Sequence, residues 1–173
     1  MEEIIIKKVS VTKTSIDIKL LDIVNQYVKN NENKFKDRQW NCNSKTSHNL
    51  CYNVLHDVVE FKYIREAITE KIKIHLEENQ KASIPFLIDE SWINIIYKFG
   101  YQEFHKHTPA FASGTLYVSD YTSDIEFACF PENNRKLITP QKGDLLFFSG
   151  ETYHRVVDSK NKRISLSFNI YAP

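Results

Sequence analysis

The sequence predicts an α+β domain that is mainly β: two helices first, then a sandwich or jelly roll with the helices on an outer face. Three observations carry this reading. Seven short runs rich in β-branched and aromatic residues follow Pro85, at 90–99, 111–119, 125–130, 136–139, 143–150, 153–157 and 163–172. Asn, Asp, Gly and Pro separate them, and no helical period lies between them, which excludes a parallel α/β sheet. Two helical periods come before them.

Taken in order, EEIIIKKVSV (2–11) reads as one strand. SIDIKLLDIVNQYVKN (15–30) places Ile16, Ile18, Leu20, Leu21, Ile23, Val24, Tyr27 and Val28 mostly on one helical stripe, with Ser15 available as N-cap. The stretch 36–53 has no period and is rich in Asn and Ser, so a long loop is expected. Such a loop is long enough to cover a barrel mouth as a substrate lid, with Trp40 read as a packing residue first and as lining the cleft second. Helical spacing returns over 55–79, where Val58, Phe61, Ile64, Ile68, Ile72 and Leu76 recur every three or four residues. One domain is expected over 1–173, with 1–85 as helical support and loop and 86–173 as the β core.

Composition removes several classes of function. The formal charge of +1 is not that of a basic nucleic-acid module, and it argues against duplex DNA, where phosphate contacts dominate affinity. Three cysteines without a C-x-x-C give neither a disulfide framework nor a zinc ribbon, and Cys42, His48 and Cys51 fit no zinc spacing. The acidic start MEEIIIKK is no signal peptide, and no apolar run is long enough for a membrane span. A soluble cytoplasmic protein with no membrane partner is expected. The Lys-, Asn- and Ile-heavy composition suits an AT-rich genome, of a phage or a bacterium.

The chemistry gathers at three of the six histidines. Residues i and i+2 of a strand point to one side, so His105 and His107 can offer two imidazoles to one centre. His154 follows the run LLFFS and is placed to face the mouth of a jelly roll. Two ligands from one strand and one from a distant strand make a facial set with open positions, the geometry of mononuclear non-haem iron. An H-x-H pair alone is weak evidence, because most histidines are surface or capping groups.

The surrounding residues strengthen it. Tyr97-Lys98-Phe99-Gly100 and Phe104-His105-Lys106-His107 resemble the segment with the first iron ligands in 2-oxoglutarate/Fe(II) dioxygenases. Downstream, GDLLFFSGETYHRVV ends near His154, and Arg163-Ile164-Ser165 follows nine residues on, similar to the distal His and the co-substrate Arg of that superfamily. The resemblance covers about 90–171, roughly half the chain, and within the superfamily it extends to the prolyl-4-hydroxylase-like branch. WNCNSKTSHN and the run Gln102–Pro109 also look like the small phage-type oxygenases.

The resemblance implies a double-stranded β-helix that binds Fe(II) at His105, His107 and His154 and 2-oxoglutarate at Arg163, Ser165, Tyr97 and Tyr117, with Asn94 in a weaker role. It also implies an oxygenase that uses O2, releases succinate and CO2, and hydroxylates a C–H bond. Its expected substrate is a peptide side chain first and a small metabolite second. Arg163 suits the co-substrate because its planar fork binds a carboxylate through two bonds. One departure stands out: the superfamily's motif is His-x-Asp/Glu, whereas position 107 is His. The ligand set is then three imidazoles, or Glu103 supplies the carboxylate, or His107 stands outside the set. Two rival readings stay open, a three-His cupin-type dioxygenase without 2-oxoglutarate and an inert jelly-roll binding module.

Overall fold

A computed structural model describes residues 2–6, 9–37, 41–78, 84–121, 123–130 and 134–172, with nothing stated for the side chains of 2–9, 41 and 42. Ten strands form one curled antiparallel sheet: β1 (Glu2–Ile6), β2 (Val9–Ser15), β3 (Asn41–Thr46), β4 (Leu87–His105), β5 (Ala112–Tyr117), β6 (Ile125–Cys129), β7 (Asn134–Ile138), β8 (Asp144–Ser149), β9 (Tyr153–Val156) and β10 (Arg163–Tyr171). Their order is β1-β2-β8-β5-β10-β4-β9-β6-β7, and β3 also pairs with β4. The helices are α1 (Leu21–Asn31), the single turn α2 (Val54–Asp57) and α3 (Lys62–Glu78). This is a jelly-roll, double-stranded β-helix architecture.

Alternation along the strands creates two cores. On β10, Leu166, Phe168 and Ile170 turn outward to the helices, where they pack with Leu21 and Val24 of α1 and Ile64, Ile68 and Ile72 of α3. The intervening Arg163, Ser165, Ser167 and Asn169 are buried on the opposite face, inside the curl. Val11, Tyr117, Ile125, Phe127, Leu146 and Phe148 close that lumen with apolar groups. Phe168 can lie flat across β5 because Gly114 has no side chain: a Cβ there would collide with the Phe168 ring.

Four expectations change. Residues 2–11 are not one strand but most of a hairpin, with Ile6 paired to Val9 and Glu2 to Lys13. β2 continues to Ser15, so Ser15 caps nothing; a 3-10 turn (Ile18–Leu20) capped by Asp17 precedes α1. The expected loop 36–53 contains β3, followed by a 3-10 turn (Ser47–Asn49), so it is part of the sheet and not a lid. Its buried side chains include Ser44, Thr46 and Ser47, which leave no hydrophobic period to read. Trp40 lies outside the described residues. The expected helix 55–79 breaks at Val58, whose backbone is extended. Residues 1–85 therefore supply three strands as well as support.

One strand serves both halves of the curl. β4 pairs with β10 as far as Ile96, then with β9 at Gln102 and His105. Between these stretches Phe99 holds a left-handed φ of 64°, and Asn43 of β3, itself at φ 47°, donates its side-chain amide to the Lys98 carbonyl at 2.7 Å. Asn tolerates that conformation; Phe does not, and its side chain is 70% exposed. Phe99→Gly should therefore stabilise the fold by about 1 kcal/mol, against the usual cost of Gly in a strand. The check is the denaturant midpoint of both forms.

Candidate metal centre

His105 and His154 are cross-strand partners on β4 and β9, so the ladder itself sets the two imidazoles side by side, with ring centroids 4.3 Å apart. His107 lies just past the end of β4. Its backbone N–H donates to the Gly150 carbonyl at 2.8 Å, and Gly150 permits this approach because a Cβ there would collide with the Ala110 backbone. That contact folds the turn after β4 over the lumen and brings His107 Nε2 to 3.3 Å from His154 Nε2. Ligand atoms of His105, His107 and His154 all lie within 4.8 Å of one another.

Backbone carbonyls orient two of the rings. Nδ1 of His105 faces the Glu103 carbonyl at 2.8 Å, and Nδ1 of His154 faces that of Thr152 at 3.0 Å. With Nδ1 protonated to donate these bonds, Nε2 is the lone-pair nitrogen, as a metal-binding imidazole requires. Burial first, then the positive potential of His105 and His107, holds His154 well below the ordinary histidine range, which keeps it neutral and able to ligate.

Two nitrogens about 2.1 Å from one metal at a right angle stand about 3 Å apart, close to the 3.3 Å between His107 and His154. Among the described residues, no carboxylate belongs to the cluster. Glu103 contributes its backbone carbonyl while its exposed side chain points elsewhere. The donor set present is three imidazoles.

Farther along the same lumen sits Arg163, 2% exposed. Its guanidinium carbon lies 5.0 Å from the Tyr117 ring, its Nε has no hydrogen-bond partner, and no carboxylate pairs with it among the described residues. Tyr117 stands opposite Ser165 across the β5–β10 ladder and is fully buried, with no partner for its hydroxyl. Burial pushes that phenol up to about 12 although Arg163 opposes the shift, so it stays protonated. A buried guanidinium that has only a phenol beside it, and no carboxylate, costs stability unless an anionic ligand pairs with it. In its charges and donors the lumen suits a carboxylate ligand as well as a metal.

The structure brings together His105, His107, His154, Arg163, Ser165 and Tyr117, but not Tyr97. Tyr97 packs against the helix-side core and donates its hydroxyl to Glu32 Oε1 at 2.7 Å. The cause is a register shift between Gln102 and His105, which breaks a count of two back from His105. Asn94 and Gln102 take the inward places instead: both are buried and line the pocket that holds the three histidines. Asn94 donates to Ser167 Oγ at 3.3 Å, leaving its carbonyl oxygen without a partner. Gln102 was legible only through the motif preceding the histidines, and parity alone would not find it.

No family model matches the sequence, and no curated protein matches it. Solved structures do. A Pseudomonas putida prolyl-4-hydroxylase superposes with a TM-score of 0.72 at 10% identity, covering 94% of this chain and 92% of its own. A Trichoplax adhaerens prolyl hydroxylase, in complex with a peptide of the hypoxia inducible factor oxygen degradation domain, gives 0.72 at 14% identity over 94% and 83%. The viral collagen prolyl hydroxylase of Paramecium bursaria Chlorella virus-1, as its 2-oxoglutarate complex, gives 0.68 at 15% over 94% and 96%. At these identities the likeness is one of fold, and it extends over nearly the whole chain.

Proposed function

We propose that this chain is a 2-oxoglutarate- and Fe(II)-dependent oxygenase that hydroxylates a C–H bond, of a peptide side chain first and of a small metabolite second. The observation that carries the reading is the buried, carboxylate-free Arg163 in the same lumen as three convergent imidazoles. The solved complex of a fold neighbour with a peptide supports the peptide choice. The run WNCNSKTSHN and residues 102–109 support kinship with the small phage-type oxygenases. Residues 105, 107 and 154 hold the metal. When bound, Fe(II) with 2-oxoglutarate supplies the oxidising power, consuming O2 and yielding succinate, CO2 and a hydroxylated substrate.

The chain's own residues bind, orient and exclude water. Arg163 pairs with the far carboxylate of the co-substrate through two charge-assisted bonds, and Ser165, two residues along the same face, adds a hydroxyl donor. Tyr117, held protonated, donates to the same group. Leu146, Phe148, Ile125 and Phe127 wall the lumen and keep bulk water out. The carbonyls of Glu103 and Thr152 fix two imidazoles in place before metal arrives.

Anaerobic addition of Fe(II) and then 2-oxoglutarate should produce a metal-to-ligand charge-transfer band in the visible. The three-imidazole set also suits a cupin-type dioxygenase, which would bind iron and show no band with 2-oxoglutarate; an inert module would bind neither. His107→Asp should keep metal and co-substrate binding and shift the band, because a carboxylate replaces a neutral donor. A spectrum unchanged from wild type would place His107 outside the ligand set.

A further inference from the structure

Next to the residues that line the histidine pocket, the same face of β4 carries a carboxylate. Glu90, Asn169 and Ser113 form one level across β4, β10 and β5, next to the level of Trp92, Ser167 and Thr115. Ser113 donates to Asn169 Oδ1 at 2.8 Å, and Asn169 Nδ2 donates to Glu90 Oε2 at 2.6 Å. The other oxygen, Oε1, lies 2.6 Å from His48 Nε2. Only 16% of the Glu90 side chain is exposed. Each carboxylate oxygen keeps a further lone pair, and of the two partners only the imidazole can carry charge. The hydrogen bond from His48 holds Glu90 below the ordinary carboxylate range, so it is an anion.

Aromatic rings adjoin its partner His48. Tyr52 meets His48 edge-on at 5.9 Å, His48 lies 5.2 Å from Trp92, and Trp92 lies 5.6 Å from His107. Tyr171 lies two residues beyond Asn169 on β10, and burial, then the Glu90 charge, raises the phenols of Tyr52 and Tyr171, with Asp89 adding to both. A half-buried anion among aromatic faces is the chemistry that holds an organic cation. Arg163 and Asn169 are six residues apart on β10, about 20 Å at the strand repeat. The lumen face of the sheet thus carries a cation at one end and an anion at the other, with His107 on Trp92 and His154 on Phe148, the partner of Ser113, near the level of the anion. An anionic co-substrate is drawn to the Arg163 end and repelled from the Glu90 end, and a cationic reactant experiences the reverse.

We infer that Glu90, framed by His48, Tyr52, Trp92 and Tyr171, binds an alkylammonium or guanidinium group of the substrate, so that the molecule hydroxylated is a basic peptide side chain or a free basic amine. Binding stands on these residues alone; only the fate of the bound molecule rests on the oxygenase reading.

Trp92 reports occupancy. In a Trp40→Phe background it is the sole tryptophan of the chain, and its fluorescence can be followed in metal-free protein. The probes are Ac-Ala-Lys-Ala-NH2 and Ac-Ala-Arg-Ala-NH2, their norleucine and citrulline counterparts, and free lysine, arginine and spermidine. Cationic probes should bind at least about tenfold tighter than the neutral isosteres, a discrimination of about 1.4 kcal/mol. Tighter binding by the peptides than by the free amines identifies a peptide substrate, and the reverse identifies a free amine. Glu90→Gln, which keeps the shape of the carboxylate, should erase the preference. Tyr52→Ala, at a side chain 54% exposed in the wild type, should weaken cation binding without loss of fold. Equal affinity for cation and isostere, or a preference that survives Glu90→Gln, overturns the inference. Because neither iron nor 2-oxoglutarate is present, absence of the charge-transfer band would count against the oxygenase reading alone.

Discussion

His154→Ala should lower Fe(II) affinity by at least about 100-fold, since loss of a mere outer partner of a metal ligand already costs 10- to 100-fold. His105 and His107 are two residues apart on one segment and approach the centre from one side; His154 reaches it from β9, across the ladder. Without that third imidazole, a facial site becomes a two-point contact open to solvent. The vacated space is also apolar, because Phe148 and Phe127 flank the ring at 4.6 and 6.0 Å, so no neighbour can substitute as a ligand. Competition with a chromogenic chelator measures the change. His48→Ala, His56→Ala and His75→Ala should leave the affinity intact, and wild-type affinity in His154→Ala would remove the centre from this lumen.

Arg163→Ala should weaken 2-oxoglutarate by about 10- to 100-fold while iron affinity stays near wild type. Hydrogen bonds to charged groups contribute about 1.5–3 kcal/mol, and each 1.4 kcal/mol is a factor of ten. The effect belongs to the co-substrate because Arg163 pairs with Ile96 across the sheet, whereas the metal cluster begins where β4 meets β9. Arg163→Lys should recover only part, since an ammonium lacks the two-pronged contact that the guanidinium offers. Titration of 2-oxoglutarate into the anaerobic Fe(II) protein compares the three forms. Unchanged affinity in Arg163→Ala would leave the buried guanidinium without a ligand and the co-substrate assignment without support.

The strands after Pro85 were legible because their period of two and their turn residues agree, and the three histidines because spacing and strand ends coincide. β3 was not legible: a strand whose buried positions are Ser44 and Thr46 carries no apolar alternation. The start of α1 was misread because Ser15 looks like a cap, whereas β2 still needs it for pairing with Asp144. Tyr97, which only the resemblance singles out, lies on the helix-side face of β4. Periodicity assumes an unbroken strand, and β4 turns at Phe99 and shifts register before His105, so residues on the near side of the corner cannot be counted from those on the far side. The carboxylate beside the pocket stayed hidden because Glu90 and His48 are forty-two residues apart and meet only through the sheet.

β10 places two unrelated tasks on nine residues, one on the even numbers and one on the odd. Ile164, Leu166, Phe168 and Ile170 hold the helices, while Arg163, Ser165, Ser167 and Asn169 hold the lumen. A substitution within one set acts first on its own face, with Phe168, which also borders the histidine pocket, as the exception. A change of length does not keep to one face. Inserting one residue between Arg163 and Phe168 turns the residues on one side of it to the other face, driving either the guanidinium toward α1 and α3 or the phenyl ring into the lumen. Inserting two restores the faces and slides them by about 7 Å, which spares the helix core more than the site. The segment tolerates change by type far better than by number.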